Sequence, residues 1–99
     1  MSAVVHGLKT CDACRKAVKA LGEGARLRDV RSEPLSEAEI ARFLAAFGEA
    51  LVNRRSTTWR GLSEAERARD PAALLAAHPS LMKRPVVERD DTLTLGLPA

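Results

Sequence analysis

The chain has 99 residues, 45% of them hydrophobic, and a formal net charge of +3. That length and apolar content predict one domain, residues 1–99, able to bury roughly two thirds of its extended-chain surface and so to fold without a disulfide scaffold. Two Phe, one Trp and no Tyr leave little to stack bases on, so direct nucleic-acid binding is not expected, and no apolar run approaches the ~20 residues of a membrane span.

Met1-Ser2-Ala3-Val4-Val5-His6 lacks the basic stretch and long apolar core of a signal peptide, which predicts a cytoplasmic protein. Ala3 to Leu8, β-branched at Val4 and Val5, reads as a first strand ended by Gly7. From Asp12 the positions Ala13, Ala17, Val18, Ala20 and Leu21 recur near helical spacing until Gly22 and Gly24 stop the pattern. A second strand follows over Ala25 to Asp29, half exposed because of Arg26 and Arg28. Pro34 breaks the chain, and Ser36 with Glu39 forms a capping box ahead of Ile40, Phe43, Leu44 and Phe47. Gly48 ends that helix, and Glu49 to Val52 adds a short helical turn. Asn53 to Arg60 is polar, basic and rich in turn formers, so it reads as a loop. Ser63 and Glu66 form a second capping box for a short exposed helix, Ser63 to Arg69. Asp70-Pro71 opens another helix over Ala72 to Ala77, with Pro at its first position and His78-Pro79 at its end. Pro85 to Glu88 and Leu93 to Leu95, separated by Arg89-Asp90-Asp91, predict an antiparallel hairpin with an acidic turn. The order β-α-β, helices, β-β is that of an α/β thioredoxin-like fold.

Cys11-Asp12-Ala13-Cys14 lies where the first strand turns into the first helix. Both cysteines fall within four residues, too close to staple a fold, so they read as reactive thiols. A helix N-terminus with nearby cations lowers a thiol pKa, and Lys9, Arg15 and Lys16 supply the cations while Asp12 opposes them. Cys14, three residues on, shares the helix face and can reach back to Cys11. It is either the resolving cysteine or an inert buried residue, in which case an external thiol completes the cycle. A zinc site would need a second Cys pair or suitably spaced histidines, and His6 and His78 lack that spacing. His6 itself reads as a strand residue facing a neighbour.

The segment Arg54-Arg55-Ser56-Thr57-Thr58-Trp59-Arg60 combines arginines with hydroxyls, which suits a carboxylate or oxyanion. The alternative is a solvated basic loop anchored in the core by Trp59. Arg84-Pro85, at the start of a strand after the helical section, is where a thioredoxin-like chain is expected to place a cis peptide facing the cysteine turn. The alternative is a trans proline beginning an edge strand.

These residues carry a family resemblance over nearly the whole chain. Gly7-Leu8-Lys9-Thr10-Cys11-Asp12 is similar to the opening G-[IL]-K-x-C-D of the YffB subgroup within the arsenate reductase-like (ArsC/Spx/YffB) branch of the thioredoxin superfamily. Leu51 to Arg60 resembles its L-L-N-x-R-[GS]-T-T-W-[RK], and Met82 to Val87 its I-x-R-P-[IVL]-[VL]. The resemblance implies Cys11 as nucleophile and Cys14, Arg55 and Arg84 as its catalytic companions. It also implies a substrate surface of Lys9, Thr10, Arg55, Arg84 and Pro85. It further implies a monomeric thiol-dependent reductase acting on a small thiol or oxyanion, with no tightly bound cofactor and glutathione as reducing co-substrate.

Three departures speak against arsenate reduction itself. Arsenate reductases proper carry a further arginine near the end of the chain, where this sequence has Thr92-Leu93-Thr94-Leu95-Gly96-Leu97. Their loop arginine falls near Asn53, and their histidine before the nucleophile falls on Gly7. Cys14-Arg15-Lys16-Ala17 also looks like part of the C-x-x-C-R-K-A of Spx, which implies an alternative: a redox-sensing regulator docking on the RNA polymerase alpha subunit through a Cys11/Cys14 disulfide switch. The chain stops at Ala99, before the last helix such relatives carry, so either that helix is dispensable or the active face is more open.

Overall fold

Val4 and Val5, β-branched and next to the buried Ala3, form β1 (Ala3–Gly7), a central strand of the sheet. The computed structural model describes residues 3–96; Met1, Ser2 and residues 97–99, among them Leu97 of the terminal run read above, lie outside them. The chain divides into two compact units, Met1–Glu33 with Arg84–Ala99, and Pro34–Lys83.

In the first unit, β1 runs through an exposed turn at Lys9 and Thr10 into α1 (Asp12–Leu21). Gly22, at φ 76°, closes the helix with its N–H on the Val18 carbonyl and turns the chain into β2 (Ala25–Asp29). β2 lies parallel to β1 with Val5 opposite Leu27, which makes a βαβ unit. The expected hairpin forms as β3 (Val86–Arg89) and β4 (Thr92–Leu95), joined by Asp90 and Asp91, and Asp90 takes the left-handed φ of 53° that Asp tolerates. Pro85 precedes the strand rather than opening it, consistent with its lacking an N–H to give to a ladder. β3 pairs antiparallel with β1, and the sheet order is β2-β1-β3-β4. This is the thioredoxin-like α/β arrangement the sequence predicts.

Register decides which residues share a face. Val5 is opposite Val87, and α1 lays Cys14 and Ala17, one turn apart, over them; Cys11, Val18, Leu21 and Leu27 close around this core. One residue along, His6 takes the other face, where it is 2% exposed and its Nε2 lies 3.1 Å from Glu88 Oε1. His6 is thus the neighbour-facing strand residue expected.

The second unit begins at α2 (Glu37–Phe47), where both halves of the capping box form: Glu39 N–H donates to Ser36 Oγ at 3.1 Å, and Ser36 N–H to the Glu39 carboxylate at 2.9 Å. After a 3₁₀ turn at Gly48–Leu51, the segment expected to be a loop contains a helical turn, α3 (Thr57–Arg60). Ser56 Oγ accepts from Trp59 N–H at 3.1 Å, and Arg67 donates to the Trp59 and Arg60 carbonyls, both at 3.2 Å. The cap is local, whereas the partner for the orphan carbonyls comes from α4 (Glu64–Arg67). Trp59 is not a core anchor: it is half-buried, with the guanidinium groups of Arg54 and Arg67 each 5.6 Å from its ring. Ser63 caps α4 as expected, but the Glu66 carboxylate goes to Arg69 and His78, both at 3.2 Å, which holds its pKa down. α5 (Pro71–Ala77), capped by Asp70, packs on α2, and the core holds Ile40, Phe43, Leu51, Leu74, Leu75, Leu81 and Met82. No helix among the described residues is long and apolar enough to cross a membrane.

Candidate active site

The site grows from the end of β1. Leu8 is buried, and Cys11 N–H donates to its carbonyl at 3.0 Å, which closes the turn over exposed Lys9 and Thr10 and leaves Cys11 extended (φ −89°, ψ 120°) as the residue before α1. Cys11 is half-exposed, whereas Cys14 is fully buried, and both thiols are free.

Gly7 is what allows Cys14 to be there. A Cβ built on Gly7 would coincide with the van der Waals space of Cys14 Sγ, would lie 3.2 Å from Cys14 Cβ, and would stand 3.9 Å from Arg84 Cβ. The strand-ending glycine of the sequence is therefore a steric requirement of the second cysteine. The same contact brings Arg84 beside the cysteine turn, and the Arg84–Pro85 bond is cis, with Pro85 buried.

The two thiols are pulled in opposite directions. Burial acts to raise the Cys11 pKa, but the N–H and thiol of Cys14, the N–H of Ala13 and the charge of Arg84 together outweigh it, and Cys11 titrates below the ordinary value of 9.0. Cys14 goes the other way, to about 11: burial dominates, the Cys11 sulfur adds to it, and the Leu8 N–H and Arg84 only partly offset them. Of the cations expected near Cys11, the one that lowers its pKa is Arg84, the residue before the cis proline. Arg15 is hydrogen-bonded to Asp12 on the exposed helix surface, and the lowering charge is Arg84.

A residue the motif reading missed holds the turn. Asp29, at the end of β2, accepts from Lys9 N–H at 3.1 Å through one carboxylate oxygen, and from Arg31 N–H at 2.9 Å and Ser32 N–H at 3.2 Å through the other. The Lys9 N–H leads the causes that hold its pKa below the usual carboxylate range. A depressed folded-state pKa stabilises the fold above the unfolded value, and that contribution is lost as pH falls through the folded one. Asp29→Asn has a single acceptor oxygen and should lose one side of this latch, lowering stability at pH 7 by about 1 kcal/mol. Denaturant midpoints at pH 7 and pH 3 check it: the difference between variant and parent should shrink in acid. An Asx-type partner after a strand was the available signal, but nothing local says the turn it would hold is twenty residues back.

Of the expected site residues, Lys9, Thr10, Cys11, Cys14, Arg84 and Pro85 all belong to the first unit. Arg55 belongs to the second, exposed on the turn that follows Val52, with its N–H on Asn53 Oδ1 at 3.1 Å.

Comparison with known proteins agrees with this architecture. Residues 6–99 match the model of the ArsC family. An uncharacterised protein of Haemophilus influenzae is 36% identical over 100 residues, covering 93% of this chain and 88% of the relative. The solved YFFB protein superposes with a TM-score of 0.86 at 31% identity, over 98% of this chain and 92% of that one. An arsenate reductase (ArsC) related protein from Brucella melitensis gives a TM-score of 0.75 at 38% identity, over 99% of this chain and 88% of that one. The chain belongs to the ArsC family, as its three motifs predict.

Proposed function

We propose that this protein is a thiol-dependent reductase with Cys11 as its nucleophile. The observation that carries the reading is the pairing of a half-exposed Cys11 at the helix start with a buried, hydrogen-bonded Cys14 under the charge of Arg84. Membership of a family with an arsenate reductase related member supports it. Arsenate is not the substrate favoured here, because the position at which arsenate reductases carry a histidine is Gly7, whose side-chain space the Cys14 sulfur fills.

In the proposed cycle the Cys11 thiolate attacks one sulfur of a substrate disulfide, forming a mixed disulfide and expelling the other sulfur as thiolate. Cys14 then loses its proton and attacks the Cys11 sulfur, releasing the second substrate thiolate and leaving a Cys11–Cys14 disulfide. Two equivalents of an external thiol of the glutathione class reduce that bond, becoming a disulfide themselves. The opposed pKa values order these steps. Burial holds Cys14 protonated, and while Cys11 is a thiolate its hydrogen bond and charge add to that; once Cys11 is capped, those two influences vanish and the resolving thiol is easier to ionise. Lys9 and Thr10, exposed on the turn before Cys11, flank the incoming substrate.

The experiment is turnover of bis(2-hydroxyethyl) disulfide with glutathione. Cys11→Ser should fall to the uncatalysed background, and Cys14→Ser should accumulate a mixed disulfide on Cys11, read by intact mass. Retained turnover in Cys11→Ser would end the proposal.

A further inference from the structure

Two successive peptide units carry the chain from β1 towards Cys11, and each joins the end of β2 to one of the cysteines. In the Gly7–Leu8 peptide the Gly7 carbonyl accepts from Val30 N–H at 2.8 Å, while Leu8 N–H donates to the Cys14 thiol. In the Leu8–Lys9 peptide the N–H, which belongs to Lys9, donates to Asp29 Oδ2 at 3.1 Å, while the Leu8 carbonyl accepts from Cys11 N–H at 3.0 Å. A planar peptide cannot turn one of its polar groups without turning the other. The anchor on the β2 side therefore fixes where the bond on the cysteine side points.

The two anchors differ in kind. Val30 is buried and gives a backbone N–H, so the first link survives a change of side chain. The second depends on the Asp29 carboxylate. Its other oxygen is held by Arg31 N–H at 2.9 Å and Ser32 N–H at 3.2 Å, and the Asp29 carbonyl accepts from Glu33 N–H at 2.8 Å, so the carboxylate is fixed from its own side of the contact. A charged acceptor on a peptide N–H also polarises the carbonyl at the other end of that unit, which strengthens the bond from Cys11 N–H. Cys11 in turn stands at the start of α1, where the N–H groups of Ala13 and Cys14 reach its sulfur.

We propose that Asp29 is a positioning residue for Cys11: acting through the Leu8–Lys9 peptide, it sets the entry to α1 and with it the direction of the Cys11 sulfur. The proposal rests on Cys11 as the reacting sulfur, and this role is separate from the stability that the carboxylate contributes.

The test follows iodoacetamide labelling of Cys11 against pH in the parent, Asp29→Ala and Asp29→Asn, under conditions where circular dichroism shows folded protein and the buried Cys14 stays unlabelled. In Asp29→Ala the profile should move to higher pH by about half a unit or more, with labelling at neutral pH slowed about threefold, because a loosened turn takes N–H groups off the thiolate. Asp29→Asn, which keeps one acceptor oxygen, should shift the same way and by less. The sign separates this from the other roles the carboxylate could play. An acid acting on Cys11 through its charge alone would, when removed, move the profile to lower pH. An acid that only stabilises the fold would lower the denaturant midpoint and leave the profile unmoved. Either result overturns the proposal, and Asp29→Asn alone decides it where Asp29→Ala does not fold. Labelling needs no turnover, so the expected shift in a protein inactive as a reductase keeps the positioning role and ends the proposed function, whereas active turnover with an unmoved profile does the opposite.

Discussion

Gly7→Ala should destabilise the protein by about 1–3 kcal/mol, the usual cost of forcing an extra methyl into a filled core. The new Cβ has nowhere to go. It falls on the Cys14 sulfur and lies 3.2 Å from Cys14 Cβ, and Cys14 is itself fixed in the core with Val5, Ala17 and Val87. Gly7 is not at a positive φ, so the penalty is steric and not conformational. This can be separated from a backbone effect by a double-mutant cycle. Cys14→Ala removes the sulfur, so Gly7→Ala should cost less in that background, with a coupling of about 0.5–3 kcal/mol. Guanidinium midpoints of the four proteins measure it. A Gly7→Ala protein as stable as its parent would mean that the sulfur is not seated against the strand. The substitution should also disturb Cys11, since displacing Cys14 removes its thiol and N–H from the Cys11 sulfur.

Alkylation of Cys11 by iodoacetamide should move to higher pH in Arg84→Leu, because Arg84 favours the thiolate. Arg15→Ala should leave the profile nearly where it is, although Arg15 is far closer in sequence, because its charge is already satisfied by Asp12 on the exposed face. Arg84→Lys, which keeps the charge, should restore much of the parental profile. The sign is fixed by the chemistry: removing a nearby cation destabilises the anion, so a higher pH is needed to form it. Equal shifts in the Arg84 and Arg15 variants would show that general surface charge, and not the residue before the cis proline, sets the reactivity. At neutral pH the label should fall on Cys11 alone in the folded protein, with Cys14 held up near 11 and sealed from reagent.

Much of the local chemistry was readable in the residues. Ser36 and Glu39 announce a capping box and make one, because both partners lie within a single turn. Asp70-Pro71 opens a helix because a carboxylate cap and a preset φ need no distant help. The β-α-β and β-β segments could be ordered into a sheet from their spacing, and the cysteine pair placed at a helix start. The same reasoning stopped short at Thr57–Arg60. That segment was read as a loop; Ser56 caps the turn, but Arg67, which satisfies its last carbonyls, reaches it only through the packing of the second unit. Glu66 shows the reverse case: a local box was expected, and a tertiary partner, His78, took the carboxylate instead.

The chain's own residues therefore settled its family and most of its elements and placed the proposed nucleophile, Cys11, at a helix start, since these depend on hydrogen bonds and spacings within a few positions. What surrounds Cys11 depended on register. Pairing β1 with β3 and β2 brings Gly7 against Cys14, Arg84 beside both thiols and Asp29 onto the Lys9 turn. Each of those contacts joins groups whose meeting is fixed by which strands align, and side chains only one residue out of register would face the opposite side of the sheet.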